Sequence, residues 1–406
     1  MSRKSGRNTN SVRIHNKDLI VSLYRGSDRV SIADIIGQTR LSRTTVKKIN
    51  ADLLEEGTII EAGKGKSTDS GGKKPVLYQF NNRRKFVLGF HIKYDQIHFR
   101  ISDLKYQVIV KDEIEMPADT PFPQIAERMK ILVGKHLGGK IPKKSILACM
   151  VAIHGNVDSE TGICIHSTYF PSWGVYLNIK RILGEVLSLK CPIHIDNWIR
   201  YKAYGENKLG LAKGHESVVL IDAGTLGVAA GILLKGRIYN GKHFLSGEIG
   251  HATVDPGETE RCACGSRGCL EQQVSCDKLI KDAESLLEAH PDSILNETRA
   301  GLSLESIFGA ADQGDELARL LLSRIAGFFA LAISQIIMFF DPEIILIEGG
   351  FASGCKFFEG EIERRSKELT LPRLVRNSVL VFSNIESIPT LKGAAALAID
   401  MHYANG

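Results

Sequence analysis

The ten residues CACGSRGCLE at 262–271 hold three of the chain's eight cysteines, Cys262, Cys264 and Cys269. Eleven residues before Cys262 stands His251, the last residue of GEIGH (247–251). Structural zinc takes four nitrogen or sulfur ligands tetrahedrally. Gly265 and Gly268 let the loop turn tightly enough for three thiolates to converge, and His251 is the near candidate for the fourth ligand. The alternative is a group of reduced structural cysteines, with Cys276 as a further neighbour able to replace one of them.

Which of these holds depends on the surroundings of the loop. A length of 406 residues implies two or three domains, and 43% hydrophobic with 24% charged residues is a soluble globular composition. The opening MSRKSGRNTNSVR is polar and basic with no apolar stretch behind it, so no secretory leader is expected. FFALAISQIIMFF (328–340) is interrupted by Ser334 and Gln335 and reads as a buried helix too short to span a bilayer. A cytoplasmic protein without membrane insertion is expected. There cysteines stay reduced, and a dense cluster points to metal rather than to disulfides.

Charge divides the chain. Residues 1–85 hold 18 Lys+Arg against 8 Asp+Glu, and the other 321 hold 34 against 38. Excess positive charge confined to one end suits a nucleic-acid-binding module in front of a near-neutral body. Helical spacing of Leu19, Ile20, Leu23 and Tyr24 predicts a helix over 16–25. A second is expected over 31–38 with Ser31 as N-cap, and a third over 42–57 with Ser42 as N-cap and Val46, Ile49 and Leu53 inward. The third helix presents Ser42, Arg43, Thr44, Thr45, Lys47 and Lys48 at its start, the composition of a recognition helix in a DNA major groove. TIIEA (58–62) and PVLYQF (75–80) read as strands around a loop carrying Lys64, Lys66, Lys73 and Lys74. A basic hairpin beside such helices is a wing, so residues 1–84 are expected to form a winged helix-turn-helix domain.

Beyond residue 85 the texture is α/β. Strands are expected in 85–104, 145–153, 192–196, 216–241 and 342–350, and helices at 122–137, 175–188, 198–209, 271–287, 314–340 and 391–403. Strand groups on either side of residue 205 predict two lobes with a cleft between them: 85–205, joined by the C-terminal helix within 388–406, and 206–387.

GEIGH, CACGSRGCLE, DPEIILIEGG (341–350) and KGAAALA (392–398) together resemble the ROK family of repressors, open reading frames and sugar kinases, over essentially the whole chain. With its winged helix the chain is similar to that family's repressor branch, the xylose, glucose and N-acetylglucosamine regulators. The resemblance implies a two-lobed actin-like ATPase (ribonuclease H-like) sugar-kinase fold behind the DNA-binding domain. It also implies zinc on His251, Cys262, Cys264 and Cys269, and sugar hydroxyls bound by Glu248, His251 and Glu271, with Asn197 kept from the sugar motif. For Glu271 a plain helix N-terminal position is the competing reading.

The same resemblance argues against catalysis. Where the kinases place an aspartate as general base, this chain has Trp198, which cannot accept a proton. GFHIKYDQI (89–97) lacks the glycine pair of the first phosphate loop, and TLGVAAG (225–231) keeps Gly227 and Gly231 but carries Ala229 and Ala230 between them. His154 replaces a usual proline. Trp173 and Trp198 are expected in the core rather than in the pocket. The implied function is a sequence-specific transcriptional regulator of carbohydrate genes, with a double-stranded operator, a sugar or sugar-phosphate effector and a homodimer or dimer of dimers. Two rivals are a sugar kinase with a fused DNA-binding domain and a regulator controlled by a protein partner.

Overall fold

The computed structural model describes residues 9–65, 74–224, 227–352, 354–371, 378–383 and 389–404. At the N-terminal end, α1 (Thr9–Gly26), β1 (Val30–Ser31), α2 (Ile32–Thr39), α3 (Arg43–Glu55), β2 (Ile59–Lys64) and β3 (Val76–Phe80) follow in order. Ser31 caps α2 in a capping box with Asp34, and the Ser42 hydroxyl accepts from Thr45 N at 3.1 Å at the head of α3. Both caps supply acceptors that a helix start otherwise lacks. Ile20, Tyr24, Ile35, Val46, Ile49 and Leu53 form the core between the helices, and β3 pairs antiparallel with both β1 and β2. The first helix is longer than its apolar pattern indicated, because Arg13 and Lys17 bind Asp52 (2.7 Å) and Glu56 (2.6 Å) of α3.

The next segment is β4 (Phe86–Ile92), β5 (Gln96–Asp103), β6 (Val108–Glu115), α4 (Phe122–His136), β7 (Ile146–Ile153), β8 (Asn156–Asp158), β9 (Ile163–His166), β10 (Leu177–Asn178), α5 (Ile179–Leu187), β11 (Ile193–Asn197) and α6 (Trp198–Leu209). After it come β12 (Val218–Gly224), β13 (Gly227–Leu234), β14 (Arg237–Ile238), α7 (Leu270–Gln273), α8 (Cys276–Leu286), α9 (Leu304–Asp312), α10 (Glu316–Phe340), β15 (Ile344–Glu348), α11 (Lys356–Leu369), β16 (Val379–Phe382) and α12 (Thr390–Ala404). Among the described residues two five-stranded sheets result, ordered β11-β7-β4-β5-β6 and β14-β13-β12-β15-β16.

Each sheet is covered on both faces, which explains the near-continuous apolar runs of its central strands. In β4, Phe86, Leu88, Phe90 and Ile92 join a core with Ile125 and Met129 of α4, while Val87 faces Ala394 and Ala395 of α12. In β12, Val219 and Ile221 face α10 and Val218 and Leu220 face Ile199 and Ala203 of α6. The pair α6 and α12 thus lies between the sheets. Their contact is so close that a Cβ at Gly393 would stand 2.0 Å from Tyr201 O, which accounts for the glycine in KGAAALA. By length and composition α10 matches a membrane span, yet Leu322, Phe329 and Ile333 sit in the core of its lobe.

Several expected elements differ. The helix expected at 175–188 begins at Ile179, because Leu177 and Asn178 pair with β9. The one expected at 271–287 is two, since Ser275 caps a new start by accepting from Lys278 N. The sequence pattern missed β6, the small β10-β9-β8 sheet, α9, α11 and β16.

The N-terminal segment packs on the first lobe. Arg25, near the end of α1, donates to Tyr106 Oη at 2.9 Å, lies 5.0 Å from the centre of the Tyr403 ring and stands 3.9 Å from Asp400 Oδ1. Asp400 of α12 also receives Tyr204 Oη (2.7 Å) and Lys208 Nζ (2.6 Å) from α6. Leu104 N donates to Asn82 O at 3.0 Å, and one apolar cluster runs from Ile20 and Tyr24 through Leu104 to Ile399.

Candidate functional site

The loop that opened the sequence is built as a knuckle. Cys262 N donates to Ser266 O and Gly265 N to Cys262 O, both at 2.8 Å, and Thr253 bridges Cys269. Gly268 adopts φ +65°, and a Cβ there would meet Asp255 O at 1.8 Å, so only glycine closes the loop. His251, Cys262, Cys264 and Cys269 come together with their donor atoms all within 4.8 Å of one another. A tetrahedral thiolate pair on zinc stands about 3.8 Å apart. Here Cys264 Sγ and Cys269 Sγ are 3.7 Å apart, and Cys262 Sγ and His251 Nδ1 are 3.9 Å apart. The residues fit a metal ion of that geometry.

Cys276 does not take part: it starts α8 and is buried in the core of the second lobe. Burial pushes the Cys262 thiol up to about 12 and raises that of Cys269, so both keep their protons until a cation displaces them. Because Nδ1 of His251 faces the sulfurs, Nε2 is the nitrogen left for other partners.

One wall of a cleft of about 640 Å³ is formed by this corner. Glu248, Asn197, His251 and Glu271, the four expected sugar-binding residues, all line it. Glu271 lies in the first turn of α7, but its carboxylate does more than meet a helix end: Oε1 is 3.2 Å from His251 Nδ1 and 3.3 Å from Cys262 Sγ. Burial raises the Glu248 carboxyl above its ordinary range. Asn197 caps α6 by accepting from Ile199 N (3.1 Å) and donates to Gly155 O (3.0 Å). Its neighbour Asp196 is buried on Arg200 Nη1 at 2.8 Å, and Arg200 Nη2 reaches across to Phe244 O at 2.6 Å.

Opposite lies a group of residues that sequence reasoning did not place in the site. Trp198 is half-buried, packing on the apolar clusters around α6 as expected but also lining the cleft, whereas Trp173 is buried against Phe122 and Phe170 as expected. The Trp198 ring stacks on His154 (centroids 5.0 Å) and His91 (6.0 Å), and the two imidazoles meet through Nε2 atoms 3.3 Å apart. Burial lowers the His154 imidazole to about 4 and that of His91 well below its ordinary value, so both are neutral at pH 7. Lys202, one helical turn after Trp198, stands 5.5 Å over its ring. Its Nζ pairs with Asp222 Oδ2 and Glu348 Oε2, each at 2.8 Å. Burial works against the charge of Lys202, but the two carboxylates outweigh it and raise its pKa. Tyr169 adds a hydroxyl close to Gly227.

His91, His154, Trp198, Asp222 and Glu348 have one signal in common, which is position at, near or just past a strand's carboxyl end. Ligands of α/β sheets gather there. His91 and His154 stand at or just past the ends of β4 and β7, and Asp222 and Glu348 are register partners near the ends of β12 and β15.

At the N-terminal end, Ser42, Arg43, Thr44, Lys47, Lys48, Lys64 and Lys74 are exposed and Thr45 is half-buried. Ser42 and Thr45 bond to each other in the cap, while Arg43, Thr44, Lys47 and Lys48 present the open face of α3. Lys66 and Lys73 lie outside the described residues.

The family model described as ROK family matches residues 87–401. The chain belongs to the ROK family. It is 23% identical to the xylose repressor of Bacillus subtilis (strain 168) over 390 residues, 96% of this chain and 95% of that one. A glucokinase of Halalkalibacterium halodurans is 30% identical over 272 residues, 66% of this chain and 81% of its own. Among solved structures, a ROK family transcriptional regulator described as a homologue of the E. coli Mlc protein matches with TM-score 0.76 at 24% identity, covering 97% of this chain and 100% of that one. The body therefore has the mixed α/β fold of the ROK sugar kinases and regulators.

Proposed function

We propose that this chain is a DNA-binding transcriptional repressor of carbohydrate uptake or metabolism genes, acting in the cytoplasm as a homodimer or dimer of dimers. Its winged helix-turn-helix (1–84) reads the operator, and its two-lobed body (85–205 with 388–406, and 206–387) binds structural zinc and senses a sugar. The observation that carries this reading is one of extent. Similarity to the xylose repressor runs along 96% of the chain, including the N-terminal module, whereas the glucokinase matches only 66%.

The geometry supports each part. Arg43, Thr44, Lys47 and Lys48 stand exposed on a helix pinned by Ser42, with Lys64 at the end of β2 and Lys74 just before β3 for phosphate contact. Zinc on His251, Cys262, Cys264 and Cys269 fixes the imidazole, so that Nε2–H faces the cleft as a donor to a sugar oxygen, while the carboxylates of Glu248 and Glu271 accept from hydroxyls. Trp198 stands where the kinases carry their general base, and an indole takes no proton from a hydroxyl, which supports a regulator over a kinase. Ligand binding across the cleft shifts the paired winged helices and spoils their match to half-sites about one helical turn apart.

The reading is tested by fluorescence anisotropy on DNA upstream of neighbouring carbohydrate genes, with a panel of sugars added. Sequence-specific binding is expected, weakened by one sugar, and the slope of log affinity against log salt should fall by about 1 in Lys47→Ala. Thermal unfolding of the zinc-loaded protein should shift with that sugar, and the shift should vanish in Glu248→Ala. Phosphate transfer to a hexose at enzymatic rates would replace this reading with that of a kinase. Release from DNA by a protein with no response to any sugar would assign control to a partner.

A further inference from the structure

The charges around the cleft select among sugars, given that the cleft is the sugar site proposed above. Its floor is the triad Lys202, Asp222 and Glu348, of which Lys202 and Glu348 are almost fully buried, with side-chain exposures of 6% and 2%. One lysine between two carboxylates leaves the floor with a net negative charge, and both of its contacts at 2.8 Å must break before Lys202 can face another anion. The second oxygen of Asp222 lies 3.2 Å from where a Cβ of Gly224 would be, so the carboxylate stands across the end of β12 at its turn into β13. Glu248 and Glu271 add two more acids on the metal side. The β4–β5 turn contributes one charge of each sign, Lys93 and Asp95. A further wall is the Trp198, His154 and His91 stack, which is aromatic and uncharged, and Thr168, Tyr169, Ser383 and Thr390 add neutral hydroxyls to the lining.

A phosphate group is recognised by cations and by converging N–H donors. Along this floor it would meet carboxylates and ring faces, and its dianion would be forced beside Asp222 and Glu348. Hydroxyls have the opposite preference. They donate to carboxylates, and the C–H face of a sugar ring packs on an aromatic wall.

We propose that the effector of this cleft is an unphosphorylated sugar, and that Lys202, Asp222, Glu348 and Trp198 are the residues that exclude both sugar phosphates and nucleotides. The triad acts as a filter, not as a sugar ligand. Its lysine is spent on internal pairing, so the one buried cation of the floor does not invite a phosphate in.

Calorimetric titration of the full-length zinc-loaded protein tests this with matched pairs: glucose and glucose 6-phosphate, N-acetylglucosamine and its 6-phosphate, xylose, and a non-hydrolysable ATP analogue. One free sugar is expected to bind, with its phosphate at least about 100-fold weaker, the scale of placing like charges together in a partly buried site. The ATP analogue should give no heat. In Glu348→Gln the ratio of affinities for the free sugar and its phosphate should fall by about tenfold or more, and Asp222→Asn should move it the same way if the first variant folds poorly. A phosphate that binds as tightly as its parent sugar, a bound ATP analogue, or an unchanged ratio in both variants would overturn the filter while leaving the sugar site standing. Absence of binding by every member of the panel would remove the sugar reading of the cleft, and the filter with it.

Discussion

The metal corner and the floor of the cleft face each other but are made in different ways. The corner is local. His251, Cys262, Cys264 and Cys269 fall within nineteen residues, and glycine turns bring their donors within 4.8 Å. The floor is assembled by topology, since Trp198 and Lys202 come from α6 and Asp222 and Glu348 from two parallel strands. The corner would therefore stand or fall with the ion its donors fit, whereas the floor depends on the whole body being folded.

The most severe break is expected at the corner. Cys269→Ser should lower zinc affinity on the order of a thousandfold, read by chelator competition, and the melting temperature should fall to that of the metal-free protein. On the floor, Lys202→Met leaves two buried carboxylates facing each other and should cost about 3 to 4 kcal/mol in urea unfolding. Adding Glu348→Gln to it should recover part of that loss, because one uncompensated charge is removed.

Acid sharpens the contrast. The His154 imidazole is held neutral in the folded protein down to about 4, while in the unfolded chain it takes up a proton below its ordinary 6.5. The unfolded state then binds more protons, so stability is full above pH 6.5 and declines as pH falls from 6.5 towards 4. With part of the ring near the water of the cleft, this group contributes about 2 kcal/mol of that decline. The difference between wild type and His154→Gln in pH-dependent urea midpoints isolates it. The mildest change lies outside both regions: Ser42→Ala should cost about 1 kcal/mol by removing the α3 cap, with DNA affinity reduced and zinc content unchanged.

That contrast also decides how much could be read from the chain alone. The corner was legible because its residues are neighbours and because thiolates, imidazole and glycine at that spacing serve few other purposes. The three N-terminal helices and the β2–β3 hairpin were legible for a similar reason, since Ser31 and Ser42 announce helix starts next to apolar spacing. The central strands showed as apolar runs. The floor was not legible. Nothing around Asp222 or Glu348 says that a lysine twenty residues from one of them, and far from the other, lies between the two, and the spacing of α6 does not reveal which of its faces meets the cleft. Trp198 was accordingly expected in the core. Weakly amphipathic edges such as β6 and β16, and α11 with its rows of charged residues, carried too little apolar contrast to stand out.

The dock between α1 and the body has a consequence for exchanging heads among such regulators. Arg25 is held by Tyr106, Tyr403 and Asp400, and Asp400 is itself held by α6, the helix whose other end carries Asn197 and Trp198. None of these dock contacts uses Arg43, Thr44, Lys47 or Lys48. On the proposed reading, a transplanted head needs a cation at the end of its first helix to be seated on this body, while the face proposed to read the operator is a separate surface. Address and attachment would then be separable, so that one body could be refitted to new promoters without changing how it carries its head.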